Sequence, residues 1–138
     1  MVGLTIGKVA ERAGVKIDTL RYYERQGVIA PPQRTGSNYR VYDWDTVRRV
    51  RFVKRAQELG FTLAEIKELL ELRVTESASC ADVRDQALAK VADLEKKIRS
   101  LQAMRRVLSK LADKCVGQDA PLSACPVLDA LDEKGKVQ

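Results

Sequence analysis

A chain of 138 residues with 45% hydrophobic and 32% charged residues holds one ordinary domain, or a small domain with an extension. Aromatics are scarce at 5%, and the wealth of Ala, Leu, Glu, Lys and Arg points to helices. No apolar run is long enough to cross a membrane and no charged-then-apolar leader is seen, so a cytoplasmic protein without a membrane partner is expected. The net charge of +6 lies before residue 61, where 12 Lys and Arg face 6 Asp and Glu; the remainder balances at 13 against 13. A basic module joined to a neutral helical one suits nucleic-acid binding plus a second role, against the plainer reading of a solvated basic face. There is no histidine, which removes the commonest general base and the commonest nitrogen ligand. With no nucleophile elbow and no phosphate loop either, no enzyme is expected. Three cysteines make an odd number, ill-suited to a disulfide framework.

In "LTIGKVAERAGVKIDTLRYYERQGVI", Thr5 is an expected N-cap and Ile6, Val9, Ala10 and Ala13 share one helical face. Gly14 supplies the left-handed residue that ends a helix tightly. A second short helix is expected from Lys16 or Ile17 to Gly27, completing a helix-turn-helix pattern. On it Lys16, Thr19, Arg21, Tyr22 and Tyr23 are candidates to face a major groove, while Leu20 packs inward.

The next stretch, "APPQRTGSNYRVYDWD", has paired prolines, a Gly36-Ser37-Asn38 turn and alternating Tyr39 and Val41. It predicts a small β-hairpin, a wing, with Arg34, Asn38, Tyr39 and Arg40 as further DNA candidates. Arginine forks fit phosphate oxygens, and tyrosine hydroxyls add neutral donors. Asp43 is expected to cap a helix starting near Trp44 that carries Arg48, Arg49, Arg51, Lys54 and Arg55 and stops at Gly60. No individual phosphate is assigned to those cations. Thr62 and Glu65 have the spacing of a capping box for a fourth helix holding Leu63, Ile66, Leu69 and Leu70.

Taken together, "TIGKVAERAGVKIDTLRYYERQGVI", "GSNYRVY" and "LGFTLAEIKELL" resemble the MerR family of bacterial transcription regulators, over essentially the whole chain. The resemblance implies a winged helix-turn-helix homodimer bound to double-stranded promoter DNA with an over-long spacer. It further implies that effector binding bends and untwists that DNA so that RNA polymerase can use both promoter elements. One departure is Asn38, where the family wing usually has Gly before the Tyr-Arg pair; Asn tolerates the left-handed conformation, so the turn is expected to survive.

From Cys80 to Cys115 the chain holds neither Gly nor Pro, and Val91, Leu94, Ile98, Leu101 and Leu108 follow a coiled-coil seam interrupted at Arg105. A lone helix of that length is unsupported in water, and no second helix of similar length follows, so the same helix of another subunit is the expected partner. Cys80 and Cys115 are about 50 Å apart along one helix, at a rise of about 1.5 Å per residue. In an antiparallel pair, however, Cys80 from the partner subunit lies beside Cys115. Cys125 reaches the same place through the short loop "CVGQDAPLSAC", which Gly117 and Pro121 mark as a turn. The spacing alone leaves open that all three are small buried hydrophobes. The resemblance adds that metal-sensing members carry a Cys at the start of the dimerisation helix, one at its end and one closing the loop, followed by a short helix like "CPVLDAL".

Three thiolates, Cys115 and Cys125 with Cys80 from the partner subunit, suit a soft divalent ion, one per chain: Hg(II) is favoured, with Pb(II) and Cd(II) next. Zn(II), the alternative, prefers four ligands, and Val116 stands where zinc-responsive relatives carry an additional cysteine. A metal-blind or thiol-redox DNA-binding regulator is the other competing reading. The expected fold is mainly α: a winged helix-turn-helix over 1–77, a long antiparallel coiled-coil dimerisation helix over 78–114, a metal-binding loop and short helix over 115–131, and a tail over 132–138.

Overall fold

The computed structural model describes residues 3–34, 40–115, 117 and 119–132, with the backbone alone at 33, 34 and 40. The chain divides into two compact units, Met1–Lys90 and Val91–Gln138. The first three turns of the long helix therefore belong with the N-terminal unit.

The first unit is built from short helices with locally encoded ends. Helix α1, Ile6–Ala13, starts where the Thr5 hydroxyl accepts the Lys8 N–H, and it stops at Gly14, whose φ of 71° no side chain adopts cheaply. The Val15 N–H returns to the Ala10 carbonyl at 3.0 Å, closing the turn into α2, Ile17–Arg25. A second left-handed glycine, Gly27, lets the Val28 N–H fold back onto the Tyr23 carbonyl. Strands β1, Gln33–Arg34, and β2, Arg40–Val41, pair antiparallel, with Gln33 opposite Val41 and Arg34 opposite Arg40. Residues 35–39, on which the expected Gly36-Ser37-Asn38 turn and Tyr39 fall, lie outside the described residues. Leu4 and Tyr42 exchange backbone hydrogen bonds at 2.8 Å, tying the start of the chain to the end of β2.

Helix α3, Trp44–Glu58, is capped by Asp43, which accepts the Thr46 N–H at 2.9 Å. Its Val47, Val50, Val53 and Ala56 form the stripe on which the other helices pack. Val9 and Ala13 of α1, Leu20 and Tyr23 of α2, Val28, Ile29 and Tyr42 complete the core with Ile66 and Leu70 of α4, Leu63–Val74. Leu20, Val50 and Ile66 are fully buried, each removal from water contributing about 1.5–3 kcal/mol.

At the start of α4 the capping box forms: the Thr62 hydroxyl accepts the Glu65 N–H at 3.2 Å and Glu65 Oε1 accepts the Thr62 N–H at 2.8 Å. That oxygen also lies 2.7 Å from Lys90 Nζ on helix α5, Cys80–Asp113. The lysine hydrogen bond first, and then the Thr62 N–H, pull the Glu65 carboxyl from its usual 4.5 down to about 2. A carboxylate lowered in the folded state stabilises it fully above pH 4.5, and that contribution disappears as pH falls through about 2. Urea midpoints measured across that window are expected to fall less steeply in Glu65→Gln than in wild type. Equal slopes would show that this carboxylate does not report on folding.

In the second unit Leu111 is buried and Ala103 and Val107 are half-buried, forming a stripe at four-residue intervals on α5. Beyond α5 a single 3-10 turn, Leu122–Ala124, leads into α6, Pro126–Asp132, which has proline at its first position, where no N–H is needed.

Candidate nucleic-acid interface and thiol ligands

The turn between α1 and α2 is held from below by α3. Arg51 donates through Nε at 3.2 Å and Nη2 at 2.7 Å to the Arg12 carbonyl, and Lys54 donates at 2.8 Å to the Gly14 carbonyl. These are carbonyls that the end of α1 leaves without intrahelical partners. Arg49 likewise donates to the Val28 carbonyl at 2.9 Å, while Arg48 pairs with Asp45 and Arg55 with Glu58. Each of the five α3 cations thus has an intramolecular acceptor. Three of them brace the helix-turn-helix, a role invisible in sequence because the acceptors lie 21 to 40 residues away.

On that platform α2 shows two faces. Lys16 sits at its N-cap position with no side-chain cap of its own, exposed beside half-buried Thr19. The two residues help to line an open depression of about 620 Å³ with Gly14, Val15, Tyr23 and Lys54. Arg21 and Tyr22 are exposed, away from the face that Leu20 buries. Tyr23 corrects the expectation from sequence: it is 2% exposed, belongs to the core, and donates its hydroxyl to Gln57 Oε1 at 2.6 Å. Burial, followed by the nearby Glu58 carboxylate, raises its pKa. It is a helix-packing residue, because α2 turns it toward α3 along with Leu20. Arg25, passed over in the sequence, lies with its guanidinium 6.0 Å from the centre of the Tyr22 ring; its spacing of four from Arg21 was the available signal. The backbone of Arg34 and of Arg40 lies in the paired strands β1 and β2.

Arg12 and Trp44 form a further exposed feature, the guanidinium 5.0 Å from the centre of a ring that is 46% exposed.

All three cysteines are free thiols; Cys80 and Cys115 are exposed and Cys125 is half-buried. Cys80 opens α5, where the Ser79 N–H donates to Asp82 Oδ2 at 2.8 Å and so closes the first turn. Cys115 follows the end of α5, its thiol 3.7 Å from the Gly117 carbonyl. The Cys125 N–H donates to the Leu122 carbonyl of the 3-10 turn, and the Cys125 carbonyl accepts the Asp129 N–H of α6, both at 3.2 Å. Among the described residues of one chain, no three Cys, Asp or Glu groups converge where a metal ion would sit. The seam residues Val91, Leu94, Ile98, Leu101 and Leu108 are 36–62% exposed, an uncovered apolar row along α5.

Two family models match the chain. One, described as MerR HTH family regulatory protein, covers residues 4–72, and the other, described as MerR, DNA binding, covers residues 47–111. A mercuric resistance operon regulatory protein of Bacillus cereus is 41% identical over 129 residues, spanning 94% of this chain and 97% of that protein. The crystal structure of the regulator PbrR691 from Ralstonia metallidurans CH34 in complex with lead(II) superposes with a TM-score of 0.80 at 30% identity, covering 93% of this chain and 98% of the other. That of a MerR regulator from Bacillus megaterium MB1 in complex with mercury(II) gives 0.70 at 36% identity, covering 94% and 100%. With helix-turn-helix geometry, family models and relatives in agreement along most of its length, the chain belongs to the MerR family of DNA-binding transcription regulators, which are not enzymes.

Proposed function

We propose that this regulator senses a soft divalent heavy-metal ion and, when loaded, activates a resistance promoter by distorting its DNA. The observation that carries the reading is the placement of three free thiols at the start of α5, just beyond its end and at the entrance to α6, in a chain without histidine. The chain's similarity to a mercuric resistance operon regulatory protein and to regulators solved in complex with lead(II) and mercury(II) supports it. Cys115 and Cys125 with Cys80 of the partner subunit would supply three thiolates, a soft set that suits Hg(II), then Pb(II) and Cd(II), better than Zn(II). A bound ion would join the two chains and neutralise thiolate charge. Homodimerisation through the α5 seam is part of the same reading, since that row of apolar residues stays 36–62% exposed in the single chain.

At the other end, α2 would lie in the major groove, with Lys16, Thr19, Arg21 and Tyr22 facing the DNA. The β1–β2 hairpin, with Arg34, Asn38, Tyr39 and Arg40, would form the wing along the backbone. RNA polymerase would engage the promoter so reshaped. The functional borders are 1–77 for DNA binding, 78–114 for dimerisation, 115–131 for metal capture and 132–138 for the tail, in a cytoplasmic protein.

The test is titration of the reduced protein with Hg(II), Pb(II), Cd(II) and Zn(II), following thiolate-to-metal absorption in the ultraviolet. Saturation at one ion per chain is expected, with Hg(II) displacing the others in competition. A flat titration with all four would remove the sensor reading and leave a metal-blind regulator. The order of displacement reports which ion the three thiolates prefer.

A further inference from the structure

Among the described residues, Lys90 is the one charged side chain that is buried, 6% exposed. It comes from α5, a helix that places no residue in the apolar core of the first unit. Its Nζ donates to Glu65 Oε1 at 2.7 Å and lies 5.5 Å from the centre of the Phe61 ring. The same carboxylate oxygen caps α4 by accepting the Thr62 N–H. One turn earlier on α5, Gln86 Nε2 donates to Glu68 Oε2 at 3.4 Å. Stepping forward from Gln86 to Lys90 on α5 means stepping back from Glu68 to Glu65 on α4, so the two contacts form rungs between oppositely running helices.

Apolar packing tolerates small slides, whereas a buried ammonium has a steep preference for the position where its charge is matched. Glu65 fixes that position, because its oxygen is already committed to the first turn of α4. Phe61 extends the anchorage backwards: its N–H donates to the Ala56 carbonyl at the end of α3. The first three turns of α5 are therefore keyed to the end of α3 and to the start of α4 by directional contacts.

We propose that Lys90 is a positioning residue: by fixing the angle of α5 on α4, it sets the separation at which a dimer presents its two recognition helices to DNA. The proposal rests on the dimeric DNA-binding reading given above. It does not depend on which metal is bound. Lys90→Met keeps the apolar stem and removes the charge; Glu65→Gln keeps a side chain able to cap α4 while removing the charge match.

The experiment uses the full-length dimer without added metal. Duplexes selected by the wild-type protein from a random pool are lengthened or shortened by one base pair between their half-sites, turning one half-site by about a tenth of a helical turn relative to the other. Wild type is expected to lose about ten-fold in affinity for each such change, against less than about three-fold in Lys90→Met and Glu65→Gln. Binding to the best duplex is expected to change little in either variant. Val53→Ala, which destabilises the core of the same unit without touching the rungs, is expected to keep the wild-type spacing penalty. Wild-type penalties in both charge variants, or an equal loss of preference in Val53→Ala, would overturn the positioning role while leaving the DNA-binding reading intact. A wild-type protein with no spacing preference would overturn the dimeric reading itself, and the proposal with it.

Discussion

Cys80→Ser and Cys115→Ser chains, each unable to bind metal tightly alone, are expected to rebuild one intact site when purified as a mixed dimer. The Cys80→Ser chain keeps Cys115 and Cys125, and the Cys115→Ser chain keeps Cys80. If the site draws Cys80 from the other subunit, one end of the mixed dimer regains all three thiols and the other end has only Cys125. Loss of groups that merely orient metal ligands costs about 10–100-fold in affinity, so loss of a thiolate itself is expected to cost more than about 100-fold in either pure variant. The mixed dimer is then expected to take up one ion with near wild-type affinity, read by the same ultraviolet absorption and by competition with a chelator. If mixing restores nothing while both variants remain folded dimers, the ligands come from one chain and the cross-subunit site is wrong. Serine is the substitution of choice because it keeps the size of the side chain and removes the soft donor.

What was legible in the sequence was mostly local. Thr5, Gly14, Asp43 and the Thr62/Glu65 pair announce helix ends because a cap needs only a side chain or a left-handed residue within three or four positions. The buried face of α1, Val9, Ala10 and Ala13, was legible for the same reason, since periodicity is a property of one helix. Tyr23 was misplaced because an amphipathic residue beside Tyr22 reads equally well as groove-facing or core-facing; only the position of α3 decides it. The α3 cations looked like a generic basic surface, yet Arg51 and Lys54 finish the end of α1, an arrangement that needs tertiary proximity. Lys90 left no signal at all. A lysine one position before Val91 looks like a solvated flank of the seam, and its partner Glu65 is 25 residues back in another helix. For the proposed thiol ligands, three cysteines and no histidine narrow the donor chemistry, while their meeting would depend on assembly, which no pattern along one chain encodes.

In the proposed sensor, helix orientation would link the thiols to the DNA-binding units, and the seam itself can report it. Levelling Cys80 with Cys115 of the partner subunit puts the twofold axis near Ile98 and sets Leu94 beside Leu101 of the partner subunit. In a parallel pair each residue would meet its own copy instead. Leu101→Lys alone replaces a large apolar contact by a charge at two symmetric places. Leu94→Glu does the same with the opposite sign. Burying such a leucine contributes about 1.5–3 kcal/mol, so two lost copies are expected to weaken the dimer by at least about 100-fold, seen as monomer by sedimentation at micromolar concentration. The doubly substituted chain separates the two orientations. Antiparallel helices would place each new Glu against a new Lys, and about ten-fold of the lost affinity is expected to return, more at low salt than at high. Parallel helices would place Glu against Glu and Lys against Lys, and the double variant would then dimerise worse than either single one. Recovery in the double variant would tie the spacing of the cysteines to the packing of the helix that carries them, since the register that pairs Leu94 with Leu101 is the one that levels Cys80 with Cys115.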